Sequence, residues 1–218
     1  MKMKKQLLLV AMAAGLSLSA FSQTKGTNAL SFGVNTYTNK NSNNSYQGNN
    51  YENKTQNNTF TLGYGYFFKD NSKFGLDLTY GLDKYNNTNN SEQQQKSYGG
   101  NLNYQHYFPI VKTLFAYAGG RAGYTYSKTK NLNTSPNYTQ ASTNIGNQYN
   151  IGAYGGITWF ISKKFALETS LLSADIRYAK TKQTESTDQS FYTNENTNFN
   201  LNTQGFINNL GFKIYILF

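Results

Sequence analysis

Apolar and polar positions alternate along most of this chain with a period of two. Leu30, Phe32 and Val34 alternate with Ser31, Gly33 and Asn35. Phe60, Leu62, Tyr64, Tyr66 and Phe68 share one face of the next run; Phe74, Leu76, Leu78, Tyr80 and Leu82 share one face of the third. Leu102, Tyr104, His106 and Phe108 follow, then Ala116, Ala118, Ala122, Tyr124 and Tyr126. Ile151, Ala153, Ile157, Trp159 and Ile161 make the sixth run, and Phe165, Leu167 and Leu171 the seventh. Phe212, Ile214, Ile216 and Phe218 make the last. Successive side chains of a strand point to opposite faces, so these eight runs predict an all-β chain. No helical face is visible after residue 22.

The connections alternate as well. Short turns fall at 69–73, 109–113 and 162–164. Between them lie long stretches near 39–58, 85–97, 128–147 and 180–200, rich in Asn, Thr, Ser and Gln. Such stretches lack the apolar groups that offset ordering entropy, so they are expected to be mobile loops. Short and long connections in turn describe an antiparallel up-and-down meander with one plain rim and one elaborated rim. That is the plan of an outer-membrane barrel.

The two faces of the strands decide between a membrane barrel and a soluble one. The second face carries Gly, Asn, Ser and Thr with few charges, which suits a crowded lumen better than a water-facing exterior. The apolar face carries no charge in mid-strand. One run fits only with a bulge near Leu171–Leu172, which turns Leu172, Ala174, Ile176 and Tyr178 outward and Asp175 and Arg177 inward. Arg or Lys on the lipid face at mid-bilayer costs about 2–4 kcal/mol, so this clean face carries information. Aromatic residues collect at strand ends. Phe67, Phe68, Phe74, Phe108, Trp159, Phe160, Phe165 and Phe218 flank the short-turn rim; Tyr37, Tyr80, Tyr85, Tyr98, Tyr126, Tyr149 and Tyr178 lie toward the other. Amphipathic rings favour the headgroup level, so two aromatic girdles are expected.

Composition narrows the class. Charged residues make up 14% of the chain and aromatics 16%, and mean hydropathy is −0.65. A soluble surface usually needs about 25–35% charged residues. No cysteine is present, so disulfides and thiolate chemistry are excluded. Residues 1–22 combine a basic head (Lys2, Lys4, Lys5), an apolar stretch from Leu7 to Leu18, and small residues Ala20 and Ser22 before Gln23. These are the three parts of a secretory signal peptide, leaving 23–218 as one exported domain. Cleavage there removes three lysines and no acid, taking the formal charge from +10 to +7. No cysteine follows the cut, so a lipoprotein anchor is excluded.

The ending GFKIYILF, with Phe212, Ile214, Ile216 and Phe218 on one face, resembles the C-terminal recognition signal of bacterial outer-membrane barrels. In that family the signal is read by the assembly machinery. Backbone groups in lipid must all be paired within the protein, so a membrane sheet has to close and the last strand is expected beside the first. In size, strand number and loop alternation the whole exported chain resembles the small OmpA/OmpX-like barrels of the porin family. The resemblance implies a monomeric eight-stranded transmembrane β-barrel in the outer membrane, without a periplasmic domain.

Catalytic and ligand chemistry is sparse. The one histidine, His106, falls on the apolar face just before a short turn. Some small outer-membrane barrels are lipid A deacylases that place a serine two residues after the histidine; here that position is Phe108. His106 is therefore read as an interfacial residue and no enzyme is expected. With no Cys and scattered carboxylates, no spacing suggests a metal or other cofactor. The lysines are dispersed over turns and loops, which argues against nucleic acid. Contact with anionic lipopolysaccharide headgroups, or ordinary solvation, accounts for them. An extracellular partner of unknown identity would meet the four long connections. Inside the barrel, Asp77, Asp83, Glu168 and Asp175 are expected to meet Arg121, Arg177 and Lys213, because buried charges need partners. Such a network would plug a lumen only just wide enough for side chains. The expected role is structural or one of surface interaction; a gated narrow path for ions or small solutes is the alternative, and a lipid A-modifying enzyme the third reading.

Overall fold

The computed structural model describes residues 24–44, 50–87, 91–135, 138–185, 191–202 and 212–218. The expected export segment 1–22 lies outside them. The described residues form nine antiparallel strands: β1 (Asn28–Asn44), β2 (Asn50–Lys69), β3 (Ser72–Asn87), β4 (Ser91–Pro109), β5 (Leu114–Ser135), β6 (Tyr138–Phe160), β7 (Phe165–Glu185), β8 (Phe191–Asn202) and β9 (Phe212–Leu217).

From β1 to β7 each strand pairs with its successor. The free side of β7 is shared. Its first residues, Phe165–Thr169, pair with β9, and Ser173–Thr184 pair with β8. β9 in turn pairs with β1 over Ala29–Gly33. Eight strands, β1 to β7 and β9, thus close into a ring of hydrogen bonds. At the seam the Asn28 and Phe218 backbones exchange two hydrogen bonds, of 2.8 and 3.0 Å. The eighth apolar run of the sequence is β9, and the polar sequence before it supplies the extra strand β8.

The ring has the two faces that the alternation predicts. Leu102, Ile151, Val34, Phe74 and Leu78 all point outward and are more than half exposed. Ser31, Asn103, Gln105, Thr158, Glu168 and Asp175 point inward and are buried. The parity break in β7 is a bulge. Gly155 faces Leu172 and Gly156 faces Ser170, so Leu171 is the extra residue. A second irregularity lets Phe67 face Lys73 and Lys69 face Ser72, leaving Phe68 between them. There Phe68 stacks on Phe74 at 4.8 Å on the outer surface. Phe108, Trp159 and Phe165 are also outward and exposed, completing an aromatic girdle at the short-turn rim. Phe67 and Phe160 do not belong to it. Their parity turns them into the lumen, where they are 1% and 2% exposed.

The long polar stretches depart most from the sequence reading. Their composition predicts loops, yet the strands run almost through them. β5 and β6, for example, stay in register up to Ser135 opposite Tyr138. The lower half of each hairpin fixes the register, and the backbone ladder then continues above it. Water meets both faces there, so no apolar alternation marks these residues as strand. Thr, Asn, Ser and Gln pair across strands instead, as in the Thr129 hydroxyl donating to Gln95 at 3.1 Å.

Candidate functional site

The lumen at the short-turn end is filled by side chains from most strands of the ring. Phe67 (β2), Tyr107 (β4), Phe115 and Tyr117 (β5), Phe160 (β6), Ala166 (β7), Tyr215 and Leu217 (β9) and Ala29 (β1) form one buried cluster. Their rings interlock, with Phe115 edge-on to Phe160 at 5.4 Å and Phe67 against Tyr107 at 5.7 Å. This apolar floor includes three tyrosines, whose hydroxyls need partners when buried.

Glu168 of β7 supplies an acceptor. Its carboxylate, 5% exposed as a residue, accepts from Gln105 Nε2 at 3.0 Å, Tyr215 Oη at 3.1 Å, Thr158 Oγ1 at 3.1 Å and Tyr107 Oη at 3.2 Å. A buried cation, Lys73, interacts with it through one of these donors. Its Nζ donates to Tyr215 Oη at 3.0 Å and lies 4.1 Å from that ring's centre. Charge and counter-charge are thus bridged by a phenol. An isolated buried carboxylate costs several kcal/mol, and four donors plus a nearby ammonium offset that penalty.

Two ion pairs stand beside this centre. Arg121 grips Asp175 with two parallel bonds, Nε to Oδ1 at 2.9 Å and Nη2 to Oδ2 at 2.5 Å. Lys213 reaches Asp77 at 2.6 Å, and Asn103 donates to the other oxygen of Asp77 at 3.0 Å. The strands make room by placing glycine opposite a large side chain. A Cβ on Gly152 would collide with the Asp175 carboxylate and the Ala174 carbonyl, and one on Gly63 with Asp77. Asp77, Asn101, Arg121, Tyr154, Glu168 and Lys213 line a cavity of about 250 Å³.

Two of the residues expected in this network lie elsewhere. Asp83 and Arg177 make no ion pair among the described residues. Asp83 sits three lumenal positions beyond Asp77, between Asn57 and Gln95 on the neighbouring strands. Arg177 sits between Asn150 and Asn198. Both have amides, not charges, across the ladder. The sequence reading also missed Lys73, Gln105, Tyr107, Tyr117, Thr158 and Tyr215. Lys73 looked like part of a turn; its parity with Asp77 was the available signal that it points inward.

His106 is half-buried on the outer face. Its Nδ1 lies 2.9 Å from Ser72 Oγ on the adjacent strand, and Phe108 packs edge-on at 4.7 Å. Ser72 is only 3% exposed, and no carboxylate orients the imidazole among the described residues.

Arg121→Ala tests the lumenal pairing. It strands Asp175, whose side chain is 3% exposed, while Arg121 is 31% exposed. Because the arginine is partly solvated, the expected loss of stability is about 1–3 kcal/mol, read from chemical unfolding of the folded barrel. Unchanged stability would count against the pair as a structural tie.

A closed antiparallel ring with an apolar exterior and a polar, charge-paired interior is a membrane-spanning β-barrel. The chain belongs to the outer membrane protein beta-barrel domain family, whose model matches residues 8–213, and it is a protein of the bacterial outer membrane. Among solved structures it is similar to the translocator domain of autotransporter NalP from Neisseria meningitidis, with 16% identity and a TM-score of 0.54 over 91% of this chain. It covers 65% of that domain, so the likeness is one of fold. Neisserial surface protein A matches at 14% identity and a TM-score of 0.41, over 88% of this chain and 97% of that one. OprG from Pseudomonas aeruginosa matches at 11% and 0.46, over 89% of this chain and 97% of that one. The comparison with curated proteins gave no match.

Proposed function

We propose that this protein is a closed-lumen outer-membrane barrel that acts through its outward polar hairpins and performs no catalysis. The observation that carries this reading is the floor at the short-turn end. Nine buried side chains fill the cross-section, and Glu168 ties three of the surrounding strands together. A path for ions would have to displace aromatic rings as well as break hydrogen bonds. The Ser72–His106 contact does not support hydrolysis, since the serine is buried and the histidine has no orienting carboxylate.

The cavity beside the floor supports a narrow pore as the second reading, because the charge pairs there would line an ion path if the floor moved. Planar-bilayer recording separates the two. The folded wild-type barrel is expected to give no steady conductance. The variant F67A/Y107A/F160A, which empties the floor, is expected to give reproducible channels. Steady channels from the wild type would contradict the closed-lumen reading.

A further inference from the structure

The lysines that look scattered along the sequence are gathered by the register. Tyr126 of β5, Tyr98 of β4, Tyr80 of β3 and Phe60 of β2 stand side by side on one rung of the outer face. Two residues further up, Lys128 stands directly opposite Lys96. On the next outward rung, Lys130 and Lys84 flank Gln94. All four lysines are exposed and none forms an ion pair among the described residues. The one acid on the outer face of β3 to β5 is Glu92, which stands opposite Asn86 and Leu132, not opposite a lysine.

Like charges directly opposite each other destabilise an antiparallel pair. The Lys96–Lys128 juxtaposition therefore calls for an anion from outside the chain. Its position says which kind. Tyrosine belts sit at the headgroup level of a bilayer, and two residues along a strand advance about 6–7 Å. The patch thus lies where the charged part of a headgroup would be held by a lipid already anchored against Tyr98 and Tyr126. We infer that Lys84, Lys96, Lys128 and Lys130 form a docking surface for phosphate groups of lipid headgroups in the outer leaflet.

The test uses the folded barrel in phosphatidylcholine nanodiscs containing equal small amounts of bisphosphorylated lipid A and its dephosphorylated form. Native mass spectrometry counts which of the two stays bound. Attraction between this basic patch and the lipid phosphates is expected to enrich the phosphorylated form on the order of tenfold. Raising the salt from about 0.1 to 1 M, where the Debye length falls from about 10 to 3 Å, should reduce it sharply. The variant K96Q/K128Q/K130Q should bring it close to parity. The control K112Q/K163Q/K164Q, at the short-turn rim, should leave it intact.

Equal retention of both lipids would overturn the proposal, as would enrichment that survives in K96Q/K128Q/K130Q or is lost equally in the control. Displacement of the lipid by inorganic phosphate, beyond what sodium chloride does at matched ionic strength, would make free phosphate the ligand and overturn it too. A conducting barrel would refute the closed lumen yet leave this result untouched.

Discussion

Glu168→Ala is expected to destabilise the folded barrel by about 3–5 kcal/mol, the usual cost of breaking a buried charge network by removing one partner. The substitution leaves the Gln105 amide, the Thr158 hydroxyl and the Tyr107 and Tyr215 phenols without their shared acceptor. It also leaves Lys73, 2% exposed, without the stronger of the negative charges acting on it. Glu168→Gln keeps the volume and one acceptor oxygen and should lose less, about 1–2 kcal/mol. The midpoint of urea unfolding in bilayers reads both. A double-mutant cycle with Lys73→Met adds a sharper criterion. Once the ammonium is gone, removing the carboxylate should cost clearly less, because the two charges stabilise each other through Tyr215. Strict additivity of the two changes would sink the coupled network, and a Glu168→Ala cost below about 1 kcal/mol would show that the floor stands without it.

The second large effect concerns the outer face. Leu102→Arg is expected to cost about 2–4 kcal/mol, because it places a guanidinium against lipid between the two aromatic belts. Leu102 lies between Tyr98 and Phe108 on β4 and is 66% exposed on the bare barrel. Leu132→Arg supplies the depth control. It is outward on β5 but lies three outward positions beyond Tyr126, so the expected change is near zero. The same unfolding assay in bilayers and in aqueous urea reports both. Equal effects at the two positions would mean that the exposed apolar band does not meet lipid.

The fold was legible because the membrane imposes alternation on strands that cross it. Lipid outside and polar groups inside leave a period-two signature, as in Phe74, Leu76 and Leu78 against Lys73, Gly75 and Asp77. The β7 bulge was legible for the same reason. Without it, Asp175 and Arg177 would face lipid. Beyond the tyrosine belts that signature vanishes, since water meets both faces. Hence the upper halves of β1 to β7, and all of β8, read as loops. The ion pairs Arg121–Asp175 and Lys213–Asp77 join residues of the set that the sequence singles out as lumenal charges. Which acid meets which base was not legible. It depends on barrel stagger and on heights set by pairing, which left Asp83 and Arg177 among amides. The donors around Glu168 were missed because all four are neutral. Tyr107 and Tyr215 alternate like any lumenal residue, and only the closed ring brings them within reach of one carboxylate.

A barrel sealed by this floor would open at the hairpin end alone, and thiol labelling reads which end admits a probe. The chain has no cysteine of its own, so a single Asn101→Cys places a unique thiol in the cavity, on the hairpin side of the floor. Barrels inserted in one orientation into liposomes are then treated with a membrane-impermeant maleimide on one side at a time. Labelling from the hairpin side only is the expected result. Labelling at comparable rates from both sides would contradict a closed floor.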